Sequence, residues 1–192
     1  MAFLKLEWRS SMGPLDCGRT WLRHPEAGDY EAWATLRDES RAFLQPWEPS
    51  WAHDELTRSA YRRRLRTQAD DIQAGIACPF HAFRKSDGAL IGGITLRNIR
   101  RGAAQTGTLG YWMGEAFSGQ GYMSEIVLRI SGHGFHDLRL HRLEAACVPE
   151  NAGSRRVLEK AGFTLEGRAR SYLKINGMWR DHVLYGLVNP SE

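Results

Sequence analysis

The sequence predicts a mixed α+β fold, and three patterns carry that expectation. Two helix-like stretches give way to three consecutive strands after Gly75. A helix behind a glycine turn and a short capped helix then alternate with a buried-type strand. Two further strands around Asn176-Gly177 close the chain. This gives about six to seven strands in one mixed, mostly antiparallel sheet, flanked by about four helices. With 192 residues against ~150 for a typical domain, residues 1–192 are expected to form a single domain.

In chain order, residues 1–18 show little periodicity and contain Gly13-Pro14, so an irregular entry is expected. Arg19–Arg23 is a short strand. From Asp29, a candidate cap, to Phe43 the apolar residues Trp33, Leu36, Ala42 and Phe43 recur at helical spacing. Leu44-Gln45-Pro46-Trp47-Glu48-Pro49-Ser50 breaks that helix with two prolines. The next helix carries Leu56, Ala60, Leu65, Ala69 and Ile72 on one stripe and Arg62, Arg63, Arg64 and Arg66 on another face. Phe80–Arg84 and Ala89–Ile99 are strands joined by Ser86-Asp87-Gly88, and a third strand is Leu109–Met113. The helix after Gly121 places Met123, Ile126, Val127, Ile130 and Leu138 on its inner face. Leu143–Val148 is a strand, and Asn151 caps a helix ending at Gly162. The last strands are Thr164–Leu173 and Trp179–Val188.

Composition narrows the function. Hydrophobic residues make up 42% and charged residues 25%, the balance of a folded, soluble chain. No run approaches the ~18 apolar residues of a spanning helix, and Lys5 and Glu7 interrupt the start before a signal-like stretch develops. A cytoplasmic protein without membrane association is expected. Cys17, Cys78 and Cys147 are odd in number and form no C-x-x-C pair, so they are expected as buried thiols rather than disulfides or metal ligands. Four of the 26 basic residues are Lys (5, 85, 160 and 174), leaving 22 Arg, a type that suits flat anionic partners.

Two constellations carry chemistry. Ser118-Gly119-Gln120-Gly121 lies between a strand and a helix start, where successive backbone N–H groups converge on an anion such as a diphosphate. It is not a P-loop, because Tyr122-Met123 replace the required Lys-Ser/Thr. It is not a dinucleotide turn either. Residues 114–118 separate it from the strand, and Ser124 stands where the third Gly belongs, although Glu144 has the right spacing for the ribose acid. The second constellation, Asn151-x-x-Ser154, puts two polar side chains on one face of a helix start. Alone, it reads first as an ordinary helix cap, with Ser154 filling a small gap.

Together these segments resemble the GNAT superfamily of acyl-CoA N-acyltransferases. Gly119-Gln120-Gly121 matches the coenzyme A diphosphate loop, and Asn151-x-x-Ser154 through Gly162-Phe163 matches the second coenzyme-side motif. A closer resemblance, to the Rim-type ribosomal-protein alanine N-acetyltransferases, rests on Phe43–Pro49, on Gly110-Tyr111-Trp112, and on Tyr172-Leu173 through Gly177-x-Trp179-Arg180-Asp181-His182. Two departures stand out: Ala116 occupies a position that often holds Arg or Gln, and Leu158 occupies that of a common tyrosine acid.

The resemblance implies a GNAT fold splayed between the fourth and fifth strands, with acetyl-CoA as co-substrate and no metal. Acetyl transfer to a primary amine would proceed by direct attack through a tetrahedral intermediate. Tyr111, Trp112 and Met113 would border the pantetheine arm, and N–H groups near Met113 would polarise the thioester, each such donor typically contributing ~3 kcal/mol. Gly119, Gln120, Gly121, Tyr122, Met123 and Ser124 would hold the diphosphate. Asn151 would bind the arm's amide, and Ser154 would return a proton to sulfur. Glu115 and Glu48 are candidate bases, or surface or structural carboxylates, the commoner case; His81, His136, His141 and His182 are weaker candidates. An α-amine, with a pKa of ~8, needs little help. Trp47, Glu48, Tyr172, Trp179 and Asp181 are candidate acceptor contacts. The implied acceptor is a protein N-terminus, on a ribosomal protein or particle, which the Arg62–Arg66 face would dock if it is more than a solvated helix side. A small amine acceptor, or a non-catalytic acyl-CoA-sensing or RNA-binding module, remains an alternative. The enzyme is expected to be a monomer or homodimer.

Overall fold

A computed structural model describes residues 13–190. Its centre is an eight-stranded sheet. The strands are β1 (Leu15–Asp16), β2 (Thr20–Arg23), β3 (Cys78–Arg84), β4 (Leu90–Arg100), β5 (Thr106–Met113), β6 (Arg142–Cys147), β7 (Thr164–Ile175) and β8 (Met178–Val188). They lie in the order β1-β2-β3-β4-β5-β6-β8-β7, and only the β5–β6 pair is parallel. Five α-helices flank it: α1 (Tyr30–Glu39), α2 (Arg41–Leu44), α3 (Arg58–Gln73), α4 (Tyr122–Gly132) and α5 (Ala152–Lys160).

The mixed α+β architecture is as expected, with one strand and one helix more than the counts read from the sequence. The extra strand corrects the irregular entry expected at 1–18, of which residues 1–12 lie outside the described residues. Leu15 and Asp16 pair with Leu22 and Trp21. Gly18, at φ +82°, turns the chain back while its N–H donates to the Asp16 carboxylate (2.8 Å). The extra helix arises because the stretch from Asp29 to Phe43 breaks at Ser40, whose N–H bonds the Leu36 carbonyl.

Asp29 does not cap α1 with its side chain. It is buried and takes hydrogen bonds from Arg23 Nη1 (2.7 Å) and from the Glu26 N–H (2.8 Å), with His81 Nδ1 at 3.2 Å. Burial alone would raise its carboxyl, but the bonds from His81 and Arg23 outweigh that and hold it well below the usual carboxylate range. His81, a candidate base by sequence, is thereby committed to tying β3 to the segment before α1.

The two sheet faces bury separate clusters. On one, Ile126, Val127 and Ile130 of α4 and Leu158 of α5 pack over Ile91, Ile94, Leu96 and Leu143. On the other, Trp33 and Leu36 of α1 and Tyr61 of α3 cover Phe83 and Leu90. The anchor of α3 is Tyr61, not the expected stripe. The helix starts one residue after its cap Thr57, which accepts the Ala60 N–H (3.2 Å), so Leu56 precedes it, and Ala69 is exposed. A tyrosine serves here because its hydroxyl reaches the Glu26 carbonyl (2.9 Å) while its ring is buried. The α4 helix also ends earlier than its apolar pattern: residues His133–Asp137 form a π turn, with Leu138 buried beyond it.

All three cysteines are free and buried, as expected, and burial pushes the Cys17 and Cys78 thiols up to about 11. Among the described residues no helix is long and apolar enough to cross a membrane.

One break in the sheet positions everything that follows. The β5–β6 pairing runs from Thr106↔Arg142 to Leu109↔Ala145 and stops. Beyond it β5 stays with β4 as far as Met113↔Gly92, and β6 stays with β8 as far as Cys147↔Val183. The strands therefore splay after residue 109, between the pair expected to splay.

Asp29→Asn is expected to cost roughly 1–3 kcal/mol at pH 7, read by urea unfolding. The depressed carboxyl contributes stability that is present above the unfolded value of ~3.9 and lost as pH falls below it. The gap between wild type and variant should therefore shrink from pH 5 to pH 3, and a gap independent of pH would contradict the assignment.

Candidate active site

Four elements meet at the splay. Tyr111, on β5 two residues past the last paired position, packs against the cluster under α4 and α5. Its hydroxyl lies 2.9 Å from Ser154 Oγ and 3.2 Å from the Ser154 carbonyl oxygen. Asn151 caps α5, as its spacing predicts, with Oδ1 accepting the Ser154 N–H (2.9 Å). Ser154 is thus fixed through its amide, its carbonyl and its hydroxyl. Burial raises the Tyr111 phenol against the opposing hydrogen bond from Ser154, so it keeps its proton at neutral pH. Leu158, at the position where the resembled pattern carries a tyrosine, is fully buried in the core. The phenol of this site comes from β5 instead, on the far side of the wedge.

The loop between β5 and α4 supplies the second half. Gly119 and Gly121 sit at φ +74° and +85°, a conformation that favours glycine, and Gly121 is the N-cap of α4. A helix leaves its first N–H groups without intrahelical partners, and here Tyr122, Met123 and Ser124 present theirs beside the glycine turn. Arg19, at the turn into β2, braces the loop. It donates to the Gln120 carbonyl (2.9 Å), pairs with Glu125 (2.7 Å), and lies over the Tyr122 ring at 4.4 Å. The Gln120 side chain folds back onto the Ala116 carbonyl (2.9 Å), so the open face of the turn is made of backbone N–H groups, with the Arg19 charge paired to Glu125 behind them. Among the described residues no group of three or more His, Cys, Asp or Glu could hold a metal ion.

The wall opposite α5 is built on a buried ion pair. Arg37 of α1 donates to both Glu48 oxygens (2.8 and 2.7 Å), and Trp51 Nε1 donates to one of them (2.7 Å). The same guanidinium lies 4.4 Å from the Trp51 ring centre and 5.0 Å from that of Trp112. Glu48 is therefore a clamped structural carboxylate rather than a free base or ammonium grip. Its carbonyl accepts the Asn176 N–H (2.8 Å), which ties the β7–β8 hairpin to this loop. Trp47 is half-buried beside it in the turn Gln45–Trp47.

The remaining candidates separate. Glu115 is exposed; its N–H bonds Ser40 Oγ (2.9 Å), and its carboxylate has no protein partner among the described residues. Tyr172 and Trp179 are 47% and 64% exposed on the hairpin, free to line a cleft. Asp181 braces that hairpin: it accepts from the Ser171 N–H (2.8 Å) and from Arg168, and these bonds hold its carboxyl low. His182 is buried against the Tyr172 ring edge, with Nδ1 3.1 Å from the Arg180 carbonyl. His136 and His141 are exposed beyond α4. On α3, Arg63 pairs with Asp54 and Arg64 with Glu55, which leaves Arg62 and Arg66 as the unpaired charges of that face among the described residues.

Sequence reasoning missed Arg19, Arg37 and Trp51. Arg19 reaches across more than a hundred positions, and no local pattern marks such a contact.

The chain is similar in sequence and in fold to known acetyltransferases. Residues 19–164 match the family described as acetyltransferase (GNAT) domain. The chain is 40% identical over 91% of its length to the Probable N-acetyltransferase YjcK of Bacillus subtilis, covering 97% of that protein. It is 34% identical to the [ribosomal protein uS5]-alanine N-acetyltransferase of Escherichia coli, over 84% of each chain. A solved structure of Mycobacterium smegmatis RimJ in complex with CoA-disulfide superposes with a TM-score of 0.86 at 31% identity, covering 93% of this chain and 87% of the other.

Arg37→Ala is expected to destabilise the fold by about 3 kcal/mol in urea unfolding, because it strands the largely buried Glu48 carboxylate. Arg37→Lys should recover only part of that, since one ammonium cannot fill both oxygens and lie flat on two indoles. A loss under ~1 kcal/mol for the alanine variant would show the pair to be incidental.

Proposed function

The chain belongs to the GNAT acetyltransferase family, whose members transfer acyl groups to amines, and from that premise we propose its donor, its acceptor and the residues that serve each. The donor is acetyl-CoA, and the acceptor is the N-terminal α-amine of a protein, of the ribosomal alanine type. The observation that carries this reading is Ser154, pinned by Asn151 and Tyr111 at the mouth of the splay, with the glycine turn of α4 across from it.

The residues present suit such a donor. The backbone N–H groups of Gly119, Gln120, Gly121, Tyr122, Met123 and Ser124, with Arg19 behind them, form a cradle for a diphosphate. The unpaired β5 edge, Gly110 to Met113, offers main-chain donors and acceptors to an extended amide-bearing arm. Asn151 keeps its Nδ2 for the same arm, because Oδ1 serves the cap. Acetyl-CoA, when bound, supplies an activated acetyl thioester. The amine nitrogen forms the new bond to the acetyl carbon as the carbon–sulfur bond breaks. Ser154 Oγ gives the leaving sulfur its proton and regains one from the water that carries off the amine's proton, and the protonated Tyr111 phenol keeps that hydroxyl oriented. The proton lost by the amine leaves through water, with exposed Glu115 the nearest uncommitted carboxylate in sequence to β5.

The acceptor approaches along the other wall, past Trp47, Tyr172 and Trp179. The uS5-alanine N-acetyltransferase relative supports a ribosomal-protein acceptor, and hence a cytoplasmic site of action. The CoA-disulfide complex of M. smegmatis RimJ supports the donor.

Ser154→Ala should lower kcat about a hundredfold while leaving donor affinity nearly unchanged; wild-type turnover would remove it as the acid. Gly121→Glu puts strain, bulk and negative charge into the cradle, and calorimetry should detect no acetyl-CoA binding. Unchanged affinity there would sink the donor-site assignment.

A further inference from the structure

A second cleft opens on the α3 side of the sheet, outside the donor site. It has a volume of about 410 Å³, within the ~300–1,000 Å³ of small-ligand sites, and lies between α3 and β4. Gln68, Asp71, Arg63, Arg64, Thr95 and Arg97 line it. Arg63 and Arg64 are already neutralised by Asp54 and Glu55. Three groups are uncommitted. Gln68 Oε1 is buried without a hydrogen-bond partner. The Arg97 guanidinium is exposed and, among the described residues, has neither ion pair nor hydrogen bond, and the Asp71 carboxylate likewise has none. An unpaired buried carbonyl oxygen costs free energy until a donor reaches it.

The cleft adjoins the splay. Thr95 pairs with Gly110, the first β5 residue past the last β6 partner, and a Cβ on Gly110 would stand 3.7 Å from the Arg97 guanidinium. Adjacent strands are ~4.8 Å apart and an extended chain advances ~3.3 Å per residue. A polypeptide with its amine at the splay thus brings its second or third residue over Arg97 and the next toward Gln68.

We propose that this cleft is the subsite for the acceptor's residues following the amino terminus, and that it selects an acidic side chain at the second or third position. Arg97 grips that carboxylate, and Gln68 Oε1 accepts a backbone N–H further along. The charges are ordered for this: the free cation lies next to the splay, while the anion Asp71 is near the far end of α3. The inference rests on the α-amine reading above and adds the feature that separates a polypeptide acceptor from a small amine.

The test compares alanine amide, Ala-Glu-Ala amide and Ala-Lys-Ala amide with wild type, Arg97→Ala and Arg97→Glu. Wild type should favour the Glu peptide over the Lys peptide. Arg97→Ala should raise KM for the Glu peptide about tenfold at unchanged kcat, the effect of one charge-assisted bond. It should leave alanine amide unaffected, and Arg97→Glu should reverse the preference. Equal effects on alanine amide and the peptides, or none on either, would overturn the subsite while the α-amine reading stands. If no α-amine is acetylated, that reading fails, and calorimetry of Ala-Glu-Ala amide then decides the subsite. Binding about tenfold weaker to Arg97→Ala upholds it; equal or absent binding overturns it.

Discussion

The separation of β5 from β6 after Leu109↔Ala145 is the constraint on which the site depends. Each strand remains held by its outer neighbour, so opening the wedge costs only the few ladder bonds between Gly110–Met113 and the end of β6. What keeps it open is side-chain chemistry. Tyr111 is buried toward α5 with its hydroxyl on Ser154, and α5 starts directly past the wedge under an Asn151 cap. The exposed strand edge and the fixed serine are thus products of one packing decision.

The two faces of the wedge divide the work. The α4–α5 face carries the glycine turn, the first-turn N–H groups and Arg19, an arrangement suited to negative charge. The α1–α3 face carries the Arg37–Glu48 clamp with Trp51 and Trp112, and the clamp loop is in turn tied to the β7–β8 hairpin through Asn176. In the proposed reaction, donor and acceptor would enter from opposite sides and meet at Ser154. In that proposal the exposed residues Tyr172, Trp179 and Arg97 would face the acceptor, and none of them takes part in the Arg37–Glu48 clamp.

What the sequence made legible was local. The Asn151 cap and the Ser154 that follows it are three residues apart, and the glycines of the α4 turn mark positive φ by their own chemistry. Strand and helix order followed from periodicity. What stayed hidden depends on distant partners. Asp29 looked like a cap because Arg23 and His81 reach it only in the fold. Glu48 could be read as a base or as a structural carboxylate, and nothing in the Pro-Trp-Glu-Pro run names Arg37, the partner that decides it. Tyr61 is outside the apolar stripe expected of α3, and only the fold supplies the Glu26 carbonyl that satisfies its buried hydroxyl. Asp181 gave no sign of bracing its own hairpin through Ser171.

The most direct test of the account follows backbone amide resonances during titration with coenzyme A and, separately, with pantetheine, which lacks the diphosphate. Coenzyme A should shift the amides of residues 119–124 together with those near 111–113 and 151–154. Pantetheine should shift only the latter two groups. Largest shifts elsewhere in the chain, or a pantetheine pattern that still includes 119–124, would contradict the division of labour between the glycine turn and the splay.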